Sequence, residues 1–230
     1  MLNNGKNIKI NVKAVILDLD NTLYAYAPCN LAGQQAVIHW LNKKTQVTPL
    51  LLKQYYTKAR KQIHKQLNGQ AASHSRLLYL QHVIEQVYQQ TRPQLTLQAE
   101  QVFWRAYFKT MKLRPDIITL LNYLQQHHLK LAILSDLTTS LQLNKIKQLK
   151  LSSYFTYIVT SEEAGHEKPA LHGMKLLLQK MRLHPSQVLY IGDSIKRDAT
   201  VAKKMRIPFI LLKSNNDIGK ISRFLSKYLC

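Results

Sequence analysis

Hydrophobic and polar positions change rhythm twice along this chain. Residues 13–19, KAVILDL, form a short apolar run with β-branched members, which predicts a buried strand. From about Ala27 to Lys109 the spacing becomes helical. Leu52, Tyr56, Ala59, Ile63 and Leu67 recur on one helix face, and so do Leu77, Leu80, Ile84 and Val87. Thr48-Pro49 carries a cap residue followed by a first-turn proline, and Thr91-Arg92-Pro93 breaks the helical stretch. After Arg114-Pro115 short strands alternate with helices. Helices are expected at Asp116–Gln126, Leu141–Leu149, Leu171–Met181, Arg197–Met205 and Ile218–Tyr228. Strands are expected at Leu129–Leu134, Tyr154–Val159, Val188–Ile191 and Pro208–Leu212.

This alternation implies an α/β fold, a Rossmann-like parallel sheet with helices on both faces. The all-helical stretch after the first strand reads as an insertion. The expected division is a core of residues 1–23 and 111–230 and an inserted helical unit of residues 24–110.

Composition narrows the class. At 230 residues and 46% apolar the chain suits one sizeable domain with an insertion, and only 7 Gly and 7 Pro argue against disorder. No apolar run reaches the roughly 20 residues that span a bilayer, so no membrane insertion is expected. The N-terminus lacks the order of a signal peptide. Cys29 and Cys230 show neither metal-ligand spacing nor a disulfide framework, and the nine histidines show no zinc-like pairing. A cytoplasmic protein is expected. The net charge of +21 is unusual. Lys58, Lys61 and Lys65 form one basic group, Lys145, Lys147 and Lys150 another, and Lys196, Arg197, Lys203, Lys204 and Arg206 a third. With no aromatic interleaving or nucleic-acid motif beside them, they suit attraction of a small anionic substrate better than nucleic-acid binding.

The chemistry gathers at strand ends. Active sites of open parallel sheets lie at the carboxyl edge. Asp18 and Asp20 end the first strand, and Ser135 and Asp136 end the strand LAIL. Asp193 follows the strand VLYIG, with Asp198 five residues on. Lys168 lies in the loop TSEEAGHEKP. Clustered carboxylates without thiol or paired-histidine ligands suit a hard cation such as Mg²⁺, which leaves room for a phosphate oxygen. Beside such a cation Asp18 stays ionised and can attack phosphorus, while Asp20 can serve as acid and then base. Lys168 would offset phosphoryl charge, and Ser135 would hold another phosphate oxygen.

Four segments, DLDNTL at 18–23, LSD at 134–136, EKP at 167–169 and GDSIKRD at 192–198, resemble the haloacid dehalogenase superfamily in its phosphatase branch. They occur in the family's order and span nearly the whole chain. The resemblance implies Asp18 as nucleophile, Asp20 as acid/base and Lys168 as the charge-neutralising lysine. It implies Mg²⁺ held by the Asp18 carboxylate, the Asp20 carbonyl and Asp193, with Asp198 adjacent. Thr22 matches the supporting threonine and Ser135 the phosphate-binding hydroxyl. Asp136 stands where many members carry asparagine. The acid at position 20 argues for phosphoryl chemistry over dehalogenation.

The insertion resembles the family's helical cap. Tyr24 and Tyr26 follow the nucleophile and would either contact the leaving group or pack inside the cap. Arg60 and Arg76 are expected on a solvated helix face, with contact to an anionic substrate as the alternative. The expected function is hydrolysis of a small-metabolite phosphate monoester, a sugar phosphate or nucleoside monophosphate, through an aspartyl-phosphate. A phosphomutase using the same intermediate and a non-catalytic basic nucleic-acid-binding protein are the alternatives.

Overall fold

The computed structural model describes residues 12–212 and Ile221. The helix expected at Ile218–Tyr228 therefore lies outside the described residues, Ile221 apart.

Five strands form one parallel sheet in the order β3-β2-β1-β4-β5. They are β1 (Ala14–Leu17), β2 (Lys130–Ser135), β3 (Tyr157–Thr160), β4 (Val188–Gly192) and β5 (Phe209–Leu211). β1 is central, paired with β2 from Ala14↔Lys130 to Leu17↔Ile133 and with β4 from Ala14↔Val188 to Leu17↔Ile191. Strand order reverses across β1, and the crevice this leaves at the carboxyl edge is where such folds bind ligands.

The central strands are buried on both faces, and their alternation divides the core. Val15, Leu17, Leu131, Ile133, Leu189 and Ile191 point into one apolar cluster; Ala14, Ile16, Ala132, Leu134, Val188 and Tyr190 point into the other. A residue shift of one would exchange the two sets, so the pattern fixes register. Helices α5 (Ile117–Gln126), α6 (Thr139–Gln148), the short α7 (Ser161–Ala164), α8 (His172–Met181) and α9 (Thr200–Met205) flank the sheet. Where one helix was expected at Arg197–Met205, a π turn over Ile195–Ala199 precedes α9. Its wider winding brings Asp198 back against β4.

Between β1 and α5 four longer helices pack on one another: α1 (Tyr26–Thr45), α2 (Pro49–Gln66), α3 (Arg76–Tyr88) and α4 (Pro93–Thr110). Thr48 and Ser75 cap α2 and α3 by accepting the backbone N–H of Leu51 and Leu78. At Gly33 a Cβ would come within 2.9 Å of the Phe103 ring, so the missing side chain lets α1 and α4 approach closely. The chain leaves the sheet side and returns at one place. Tyr24 bridges both Asp20 and Leu113, and Arg114 N–H donates to the Leu23 carbonyl.

The basic residues divide. Lys58, Arg60, Lys61, Lys65, Lys147, Lys150, Lys196, Arg197, Lys203, Lys204 and Arg206 are exposed. Lys145, grouped with surface lysines from the sequence, is fully buried, and Arg76, expected on a solvated face, is only 4% exposed. Both lie where the four-helix unit meets the carboxyl edge of the sheet, and both are held by partners distant in sequence.

Candidate active site

Asp18 directly follows β1, its N–H donating to the Ile191 carbonyl at 2.9 Å. The residue is 5% exposed. Thr22, also buried, donates to Asp18 Oδ2 at 2.9 Å, and Lys168 Nζ sits 2.6 Å from Asp18 Oδ1. Thr22 thus holds one carboxylate oxygen of Asp18. Asn21 between them has φ +65°, in the left-handed region that sharpens the turn and brings Thr22 back.

Lys168 joins three segments. Besides Asp18 it meets Asp198 Oδ1 at 2.7 Å and the Leu134 carbonyl at 3.3 Å, and its backbone N–H donates to Asp136 Oδ1 at 2.9 Å. Asp136 Oδ2 accepts from Arg197 Nη1 at 3.2 Å. Asp136 therefore ties the loop carrying Lys168 to the end of β2. Tyr190, on β4, donates to Asp198 Oδ1 at 2.6 Å, and Ser194 N–H donates to Asp198 Oδ2 at 3.0 Å. Gly192 makes this possible, since a Cβ there would lie 2.6 Å from Asp198 Oδ2.

Asp18, Asp193 and Asp198 offer carboxylate oxygens within 4.8 Å of one another. Asp193 Oδ1 is buried and has no hydrogen-bond partner. Three hard oxygen donors, one of them unsatisfied, fit a divalent cation that takes oxygen ligands. Burial pushes the Asp18 carboxyl up to about 7, with Lys168 opposing and the Asp198 charge adding to the rise. Burial and the charge of Asp198 raise Asp193 as well. Packing carboxylates this closely stores repulsion that a cation relieves.

Asp20 is built differently. Its Oδ1 is 2.6 Å from Lys145 Nζ and accepts from the Tyr24 hydroxyl; its Oδ2 accepts from Gln142 at 3.0 Å. Burial favours the neutral acid, but Lys145 and these donors outweigh it and hold the carboxyl below its ordinary range. Tyr24 is fully buried, and its hydroxyl is also 2.5 Å from that of Tyr107. Of its two sequence readings, the packed one describes where it sits. The Gln142 amide also donates to Ser135 Oγ and the Asp136 carbonyl, both at 2.6 Å, joining Ser135 to Asp20.

Sequence reasoning missed Gln142, Lys145, Tyr190 and Arg197. A signal for two of them exists. Gln142, Lys145 and Ile146 are the buried face of α6, so two polar residues occupy core positions at helical spacing.

Residues 15–212 match the haloacid dehalogenase-like hydrolase family. The chain belongs to that family. It is 33% identical over 205 residues to the ribulose-1,5-bisphosphate 5-phosphatase of Halopiger xanaduensis, spanning 89% of this chain and 86% of that one. It is 23% identical over 195 residues to a glyceraldehyde 3-phosphate phosphatase of Methanocaldococcus jannaschii, spanning 84% and 82%. Its fold is that of a haloacid dehalogenase-family phosphatase structure from Thermococcus onnurineus, with TM-score 0.73, 18% identity, and 95% and 100% of the two chains covered. This haloacid dehalogenase-like hydrolase thus carries the family's four segments at one edge of its sheet.

Proposed function

We propose that this hydrolase is a Mg²⁺-dependent phosphatase acting on phosphate monoesters of small metabolites, sugar phosphates foremost. The observation that carries the reading is the placement of Asp18, buried between Lys168 and Thr22 beside two further carboxylates. Asp18, Asp193 and Asp198 would hold the cation, which when bound supplies positive charge against a transferring phosphoryl group.

Thr22 holds Asp18 by Oδ2 and Lys168 by Oδ1, and one of these oxygens attacks phosphorus, forming an aspartyl-phosphate as the ester oxygen leaves. Lys168 offsets charge on the phosphoryl oxygens and Ser135 holds one of them. Asp20 gives its proton to the leaving oxygen and then takes one from the attacking water. Lys145 holds Asp20 in its ionised form. A phosphate dianion at Asp18 adds negative charge beside it and favours the protonated acid that the first step needs. Residues 24–110 act as a cap that excludes water during attack. The names of the relatives support sugar phosphates and related small acids as substrates. No helix among the described residues is long and apolar enough to cross a membrane, which suits a substrate met in water.

The test is phosphate release from a panel of phosphorylated metabolites with Mg²⁺, with Asp18→Asn as control. Release that vanishes in the variant is expected. Isomerised product without release would make the protein a mutase. Inertness towards every compound would refute the reading.

A further inference from the structure

Arg76 is a buried cation that no carboxylate balances. It is 4% exposed, and among the described residues it makes no ion pair. Its Nη1 donates to the His74 carbonyl at 2.6 Å, and its Nη2 to Asn30 Oδ1 at 2.9 Å and to the Tyr26 hydroxyl. Its Nε is buried without a partner. Four aromatic rings surround it, with centroids between 5.5 Å (Phe103) and 5.9 Å (Tyr26) from the guanidinium carbon. Rings and neutral acceptors soften the charge but do not cancel it, and an uncompensated buried charge is costly.

The same side chain lines a cleft of about 550 Å³. Arg76, Trp104, Arg105 and Phe108 form its wall from the four-helix unit; Leu137 and Thr138 form it from the sheet side, two and three residues beyond Ser135. The volume suits a small metabolite. Glu100, also on the wall, accepts from Trp104 Nε1 at 3.2 Å. A chain of contacts joins the cleft to Asp20. Arg76 binds Tyr26, whose ring meets Tyr107, whose hydroxyl meets Tyr24, which donates to Asp20.

We infer that the substrate carries a second anionic group, remote from the phosphate that is cleaved, and that Arg76 receives it in this cleft. This rests on the phosphatase reading for the site at Asp18. The substrate then spans from Ser135 to Arg76, with exposed Arg105 at the rim drawing the anion in. Its charge completes the pairing that the fold withholds from Arg76, and the Nε–H, which has no partner, and the second Nη1 hydrogen are the donors left for it. Arg76 thereby selects doubly anionic metabolites over singly anionic ones.

Calorimetric binding to the Asp18→Asn protein tests this without turnover. Ribulose 1,5-bisphosphate, 2-phosphoglycolate and ribulose 5-phosphate serve as probes. Binding of one or both doubly anionic probes about tenfold or more tighter than ribulose 5-phosphate is expected, as a charge-assisted contact implies. The bisphosphate and the carboxylate probe show which anion the cleft takes. Arg76→Met should bring the three probes together, and Arg76→Lys should keep part of the preference. Equal binding of all three to the parent protein, or an equal loss for all three in Arg76→Met, would overturn the inference. Strong preference without hydrolysis of any compound by the unsubstituted protein would instead refute the phosphatase reading and leave the anion site standing.

Discussion

Replacing Lys145 by methionine should destabilise the fold through Asp20. The pair is asymmetric: Nζ and Oδ1 are 2.6 Å apart, the lysine side chain is 0% exposed and the aspartate 19%. Removing the lysine leaves a carboxylate that keeps its Tyr24 and Gln142 donors and some water. Breaking a buried pair from one side costs about 3–5 kcal/mol, and these remaining partners place this change near 3 kcal/mol. For a chain of this length that lowers the melting temperature by about 6–12 °C. Asp20→Asn strands Lys145 instead, which has no exposure to relieve it, and should cost about 4 kcal/mol. The double variant removes both charges. It should be more stable than the sum of the singles implies, with a coupling of at least about 2 kcal/mol. Urea unfolding of the four proteins, followed by circular dichroism, gives all three differences. Lys145→Met within about 0.5 kcal/mol of the parent, or additive changes, would refute the reasoning.

Three further outcomes are expected. Gly192→Ala forces a Cβ to 2.6 Å from Asp198 Oδ2, so it should cost about 1–3 kcal/mol in urea unfolding and lower phosphate release as Asp198 is displaced. Mg²⁺ should raise the melting temperature of the parent protein, and Asp193→Asn should shrink that shift, because the cation relieves repulsion among Asp18, Asp193 and Asp198. Burial, with the neighbouring His74 and arginine charges, lowers the His64 pKa from 6.5 to about 4. The unfolded chain then binds the proton that the folded chain refuses, so this stability is present above 6.5 and is lost as pH falls towards 4. Thermal melts across that window should show the decline, and His64→Gln should flatten it.

Most of the sheet was legible because its residues obey local rules. Apolar runs such as AVIL and VLYIG are buried on both faces, and the polar residues after them mark the carboxyl edge where β1, β2 and β4 end. Strand limits moved by a few residues: the segment expected at Tyr154–Val159 became β3 at Tyr157–Thr160, since hydrogen bonding to β2, not apolarity, decides where pairing stops. Asp18, Lys168 and Asp198 could be brought together from their motifs. Lys145 could not, because its partner Asp20 lies 125 residues away and lysines at 147 and 150 made it look like a surface stripe. The burial of Arg76 was hidden similarly. Its cage comes from Tyr26, Tyr79, Phe103 and Trp104, on three different helices, and periodicity within one helix carries no record of that.

The central claim is that Asp18 forms a covalent bond to phosphorus. The Asp20→Asn protein with p-nitrophenyl phosphate tests it most directly. That leaving group departs without a proton, while breakdown of the aspartyl-phosphate still lacks its base. A burst of nitrophenolate matching the enzyme present is expected, with phosphate recovered on the peptide containing Asp18 after acid quench. Turnover by the parent protein, with neither burst nor labelled Asp18 in the variant, would contradict it.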